Sequence, residues 1–207
     1  MSQLKAELEG LYQQCSEYFS GLYASEAKPL VFGSGDPGAP VLLVGEAPGA
    51  QEALSGKPFV GKAGKMLDDF LAAISLERNA LFITNTVKVR PTAVSKAGRT
   101  VNRAPSKEEI ALFLPWLLKE VALLQPDVIV TLGNVPLGAL SGIKGAAIGA
   151  LHGTLLKNTP CGIPVFALYH PAALIYNQSL KACHTRDLAA LRAHLALSGV
   201  LKGRELS

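Results

Sequence analysis

The sequence predicts an α/β protein, a three-layer α/β/α sandwich built on a central, mainly parallel sheet of four strands. Two observations carry that prediction. Four short runs, PVLLVG (40–45), LFITN (81–85), DVIVTLG (127–133) and PVFALYH (164–170), are almost continuously apolar, as expected of strands covered on both faces. The intervals between them hold apolar residues at helical spacing, and strands alternating with helices imply parallel crossovers.

Taken in order, MSQLKAELEGLYQQCSEYF has the pattern of an amphipathic helix, and residues 1–30 read as an N-terminal helical segment. The first strand stops at Gly45-Glu46, and a helix is expected over 61–75. The second strand ends at Asn85. Beyond it come Lys88, Arg90, Lys96, Arg99, Arg103 and Lys107 with no acid among them, a basic stretch that suits a solvated loop as well as a polyanion contact. A helix over 106–124 opens with Ser106 as cap and Glu109 three residues on, a capping box. The third strand runs into Gly133-Asn134 at a helix start, the fourth into His170-Pro171, and a last helix covers 183–197. At 207 residues the whole chain, 1–207, is read as one domain.

Composition narrows the class. With 49% hydrophobic and 17% charged residues the chain can bury a core and is no disordered tail. No apolar run reaches the roughly 18 residues of a membrane span, and the N-terminus has no apolar signal region, so a cytoplasmic protein is expected. Cys15, Cys161 and Cys183 lie far apart without a CxxC pair, which suits small apolar residues better than disulfides or a thiolate metal site. A formal charge of +4 permits a polyanionic partner without requiring one.

The strand ends hold the chemistry. In an open parallel sheet, ligands bind beyond the carboxyl ends of the strands, so GEAPG, Asn85, Gly133-Asn134 and His170-Pro171 should face one crevice. Taken singly, Asn85 could be a turn former, His170 a satisfied core histidine and Phe59 a core ring; the signal lies in their convergence.

With those residues in view, the chain resembles the uracil-DNA glycosylase superfamily, most closely its family 4. The resemblance rests on GEAPGAQEALSGKPFVGKAGKML (45–67), ITNTVKVRP (83–91), NRAPSKEE (102–109), PDVIVTLGNV (126–135) and YHPAALI (169–175). It implies an enzyme that hydrolyses the N-glycosidic bond of uracil in DNA, with other deaminated bases as candidates, on single or double strands, acting as a monomer. It further implies that Phe59 stacks on a flipped uracil, that Asn85 reads the uracil edge, and that His170 donates to O2 as the bond breaks. Glu46 or Glu52 would orient water. Ala47 and Gly49 would line the base site, at positions where better-studied branches place an aspartate and an aromatic. Lys88, Arg90 and Arg103, with the backbone N–H groups of Gly133 and Asn134, would meet phosphates, and Leu174 or Ile175 would fill the gap left by the flipped nucleotide.

One departure concerns the cofactor. Family 4 proteins hold a [4Fe–4S] cluster on four cysteines, and the matching positions here include Val89 and Leu112, with no cysteine pair upstream of the first strand. Cluster binding needs thiolates, so neither an iron–sulfur cluster nor another metal is expected. A basic insertion carrying a histidine that bonds the abasic sugar, found in an atypical branch, has no counterpart, because no histidine occurs between 91 and 105. The competing reading is a non-catalytic protein of the same fold that binds damaged or single-stranded DNA. A nucleotide-binding fold is disfavoured, since neither GxGxxG nor a Walker lysine motif is present.

Overall fold

The four apolar runs become the parallel centre of a sheet. The computed structural model describes residues 3–23 and 28–200. Its strands are β1 (Ser34–Gly35), β2 (Val41–Gly45), β3 (Phe82–Asn85), β4 (Thr92–Val94), β5 (Thr100–Asn102), β6 (Val128–Leu132), β7 (Leu155–Leu156) and β8 (Val165–Leu168). Its helices are α1 (Gln3–Leu22), α2 (Ala50–Ser55), α3 (Lys62–Ala73), α4 (Lys107–Leu124), α5 (Asn134–Leu140), α6 (Ile148–Leu151), α7 (Pro171–Tyr176) and α8 (Lys181–Leu197). The main sheet has six strands in the order β1-β3-β2-β6-β8-β7. Its inner four are parallel, and the two-residue strands β1 and β7 pair antiparallel at the edges. The expected strand count of four is therefore extended by two edges too short to leave a pattern in the sequence.

Strand pleating sorts the core into two layers. Val41, Leu43, Ile83, Val130 and Leu168 face α3 and α8, meeting Leu67, Leu71, Leu188, Leu191 and Leu195. Leu42, Val44, Phe82, Ile129 and Val165 face the other way, onto Leu8 and Leu11 of α1 and Leu117, Val121 and Leu124 of α4. The three layers follow from these two contacts.

The capping box forms as expected. Ser106 Oγ accepts from the Glu109 N–H at 3.2 Å, and the Ser106 N–H donates to Glu109 Oε2 at 2.7 Å. The basic stretch contains an element the sequence did not announce, the antiparallel hairpin β4–β5, paired from Thr92↔Asn102 to Val94↔Thr100. All six of its strand residues are exposed, so no apolar alternation marks it. Lys96 and Arg99 lie at its exposed tip.

Candidate active site

Two of the predicted residues, Phe59 and Asn85, meet at the carboxyl end of the sheet because of a missing side chain. Gly45 and Asn85 are register partners on β2 and β3. A Cβ on Gly45 would collide with the Asn85 carboxamide oxygen and the Phe59 ring, so glycine is what lets these two groups approach one another. Asn85 is 2% exposed, and its carboxamide has no hydrogen-bond partner among the described residues. The Phe59 and His170 rings lie 6.0 Å apart at 33°, facing the same space.

Phe59 sits in a conformation that a bulky residue adopts only under constraint, with φ at +54°. Two charged side chains supply that constraint. The Glu52 carboxylate accepts from the N–H groups of Val60 (3.0 Å) and Gly61 (2.8 Å) after the ring, and from Gly49 (3.1 Å) before α2. Arg78, itself paired with Asp68, donates to the carbonyls of Pro58 (3.0 Å) and Phe59 (2.7 Å). Glu52 is thus corrected from a water-orienting candidate to a backbone clamp: it is buried, and its oxygens are taken up by three N–H groups. The same clamp uses the Gly49 N–H, and a side chain at 49 would press into the carboxylate. Ala47 turns its methyl toward an apolar cluster around Phe113.

Glu46 is the remaining acid at the strand mouth. It is half-buried, its carbonyl accepts from the Val87 N–H at 3.1 Å, and burial raises its carboxyl above the usual carboxylate range.

His170 caps α7. Its Nδ1 accepts from the Ala172 N–H at 3.2 Å, and burial depresses the ring to about 4, so at neutral pH the imidazole is uncharged. With Nδ1 accepting, the single ring proton is assigned to Nε2, which becomes a donor. On neighbouring Gly133 the expected phosphate contact fails: its N–H donates to the Leu168 carbonyl at 2.8 Å, inside the sheet. Asn134 is exposed, with its side-chain oxygen accepting from the Ile148 N–H at 2.8 Å. On α7, Leu174 is 4% exposed and packs inward, which removes it as a DNA wedge, whereas Ile175 is exposed. The adjoining Tyr176, 89% exposed, was not singled out by the sequence; an exposed aromatic at the end of HPAALI was the available signal.

The three predicted basic contacts separate. Lys88 is 1% exposed and ion-paired with Glu120 at 2.7 Å, so it cannot reach a phosphate. Arg103 is exposed, but its guanidinium forks onto both Glu109 oxygens at 2.6 and 2.8 Å and also meets the Thr92 and Ala104 carbonyls. Arg90 lies at the base of the hairpin, donating from Nε to Asn102 Oδ1 at 2.7 Å.

The residues at the iron–sulfur positions do not fit a cluster. Val89 and Leu112 come together as expected of partners in one site, but they do so in an apolar cluster with Cys15, Phe19, Val87 and Phe113. The Phe19 and Phe113 rings stack there at 4.2 Å. Cys15 is the single thiol present, and burial pushes it up to about 12, so it packs as a neutral group. Elsewhere, His152, Cys183 and Asp187 offer ligand atoms within 4.8 Å of one another. His152 Nδ1 and Asp187 Oδ2 are hydrogen-bonded at 2.8 Å, closer than the about 3.3 Å separating two ligands of one tetrahedral zinc.

Comparison with known proteins places these features in a family. The family model described as the uracil DNA glycosylase superfamily matches residues 32–192. The chain is 34% identical over 188 residues to the type-4 uracil-DNA glycosylase of Pyrobaculum aerophilum, spanning 88% of this chain and 90% of that one. It is 37% identical over 166 residues to the Sulfurisphaera tokodaii protein of the same description, covering 77% of this chain and 72% of that one. The Thermotoga maritima protein of that description is 34% identical over 172 residues, covering 82% and 85%. Among solved structures, the crystal structure of Pedobacter heparinus SMUG2 superposes with a TM-score of 0.54 over 78% of this chain and 76% of that one. At 16% identity that likeness speaks for the fold alone.

Proposed function

This chain belongs to the uracil DNA glycosylase superfamily, and on that premise we propose that it is a monofunctional uracil-DNA glycosylase of base excision repair. The observation that carries the reading is the meeting of Phe59 and Asn85 across Gly45, with a neutral His170 beside the Phe59 ring. A glycosylase must hold a base it has pulled out of the stack, read its edge and receive charge as the base departs. In this reading the flipped uracil stacks on Phe59. The unpartnered carboxamide of Asn85 accepts from N3–H and donates to O4, a pairing that cytosine cannot complete.

His170 then donates from Nε2 to uracil O2, where negative charge collects as the bond to the sugar breaks. A donor fixed before the reaction pays no reorganisation cost during it, and such donors are usually the largest single catalytic contribution. Glu46, with its carboxyl raised by burial, orients the attacking water or balances the positive sugar. Arg90, the hairpin tip and Ile175 supply contacts to the strand.

No step runs through a metal. We read the protein as cluster-free, since a single neutral thiol stands where four thiolates are required. Purified protein should be colourless, without absorbance near 400 nm and without bound iron. A brown preparation with four irons per chain contradicts this.

Incubating the protein with a labelled oligonucleotide carrying one uracil, followed by alkali, tests the main reading. Strand scission at the uracil is expected. Retention of the oligonucleotide without scission would favour the damaged-DNA-binding alternative.

A further inference from the structure

Lys88, set aside above as a phosphate contact, ends on three acceptors. Its ammonium donates to Glu120 Oε2 (2.7 Å), to Thr84 Oγ1 (2.6 Å) and to the backbone carbonyl of Asn85 (2.9 Å). These use all three donors of the group. Glu120 is fully buried and is satisfied in turn by Thr84 Oγ1 and by the hydroxyl of Tyr12 from α1. Burial and the Glu120 carboxylate raise the Tyr12 phenol, so it remains a donor at neutral pH.

A buried ion pair is a poor device for stability alone. Removing two charges from water costs several kcal/mol each, and well-packed apolar residues of similar volume often do as well or better. Its placement suggests a different use. Successive side chains on a strand point to opposite faces. Thr84 points toward α4 and the ion pair, so Asn85 points to the other face, toward Phe59 and Gly45. The network lies beneath β3 and touches the base-reading residue through its main chain.

We propose that Lys88 is a positioning residue for base recognition, and that its ammonium fixes the peptide of Asn85 so that the carboxamide on the opposite face keeps its aim. The inference rests on the reading of Asn85 given above. Because that carboxamide has no hydrogen-bond partner among the described residues, its direction depends on the backbone that carries it and on the groups packed around it. A displacement on the order of 1 Å in a positioning group can cost about a hundredfold in rate.

The test uses Lys88→Met, Glu120→Leu and the pair together, each with Asn85 intact and with Asn85→Ala. Lys88→Met alone leaves a buried carboxylate uncompensated and is expected to be strongly destabilised; the double variant removes both charges and should keep a cooperative unfolding transition. Single-turnover excision of uracil by the double variant should fall about ten- to a hundredfold when Asn85 is present. In the Asn85→Ala background the same two changes should alter the rate less than about twofold, because coupled residues do not add. Equal losses in both backgrounds would mean a purely structural role, and an unaffected double variant would likewise overturn the proposal. A wild-type protein that excises nothing would instead defeat the glycosylase reading itself, and this inference with it.

Discussion

The two halves of the candidate site are held in different ways. On the β2–β3 side, the backbone around Phe59 is gripped by Glu52 and Arg78, and that of Asn85 by Lys88. On the β6–β8 side, His170 rests on one hydrogen bond from its own helix, and α7 presents Ile175 and Tyr176 to solvent. In the proposed reading, recognising a base requires a donor and an acceptor position to be right at once, and that half is held by charged groups working through the main chain. Donating to one oxygen requires only a neutral ring with its proton on the correct nitrogen, which burial and a single N–H secure.

The comparison is broken most directly at Asn85. Asn85→Asp replaces the donor to O4 with an acceptor, and uracil excision should fall by about 10⁴, with weak cytosine excision appearing on single strands. Wild-type uracil activity in that variant would remove Asn85 from the reading half.

His170→Ala should lower the single-turnover rate by about 10² to 10³ while leaving affinity for uracil DNA little changed. Loss of rate and binding in equal measure would make the second half a gripping device as well. Its pH behaviour sharpens the point. With the folded ring near 4 against the ordinary 6.5 of a free imidazole, the unfolded chain takes up a proton the folded one refuses. The stability from this site is therefore complete above about 6.5 and declines as pH falls toward 4. Catalysis should not share that decline, because His170 stays neutral across the window. An acid limb in the rate profile should belong to Glu46, lie above the ordinary carboxylate range, and vanish in Glu46→Gln.

The clamp is tested by Glu52→Gln. Loss of charge-assisted bonds to three N–H groups should cost about 2–3 kcal/mol of stability and lower excision about tenfold through misplacement of Phe59. Unchanged stability with abolished activity would restore Glu52 as a candidate for orienting water.

The smallest effect is expected at the hairpin. Replacing Lys96 and Arg99 by Ala should lessen the slope of log affinity against log salt by about 1 to 2, without altering the single-turnover rate at saturation. An unchanged slope would place the hairpin away from the strand.

How much of this was legible follows from the range of the interactions. The four central strands, the capping box at Ser106 and the convergence of Phe59, Asn85 and His170 are written in local runs and strand ends, and the sequence carries them. Lys88 was misread because its partner Glu120 lies on a different element, and a lysine within a basic run looks like a surface charge until α4 folds over it. Glu52 was misread for the same reason, since its three N–H partners are main-chain groups with no residue signature. Leu174 and Ile175 are neighbours on a six-residue helix, too short for periodicity to say which faces inward. Gly133 looked available at a helix start, yet its N–H had a strand neighbour to serve.

Helix α1 reaches both of the buried assemblies beneath the second strand's end, Tyr12 entering the ion-pair network and Cys15 and Phe19 the aromatic cluster. Its partners in both cases are largely on α4. During synthesis α1 leaves the ribosome well before residues 107–124 exist, and until they follow it its apolar stripe of Leu8, Leu11 and Phe19 lacks the α4 side of its packing. Completion of the β2–β3 half must therefore wait for a contact distant in sequence, the kind that slows folding and leaves an intermediate open to aggregation or chaperone capture. Activity would be gained late in the folding of the chain, when the first helix finally docks.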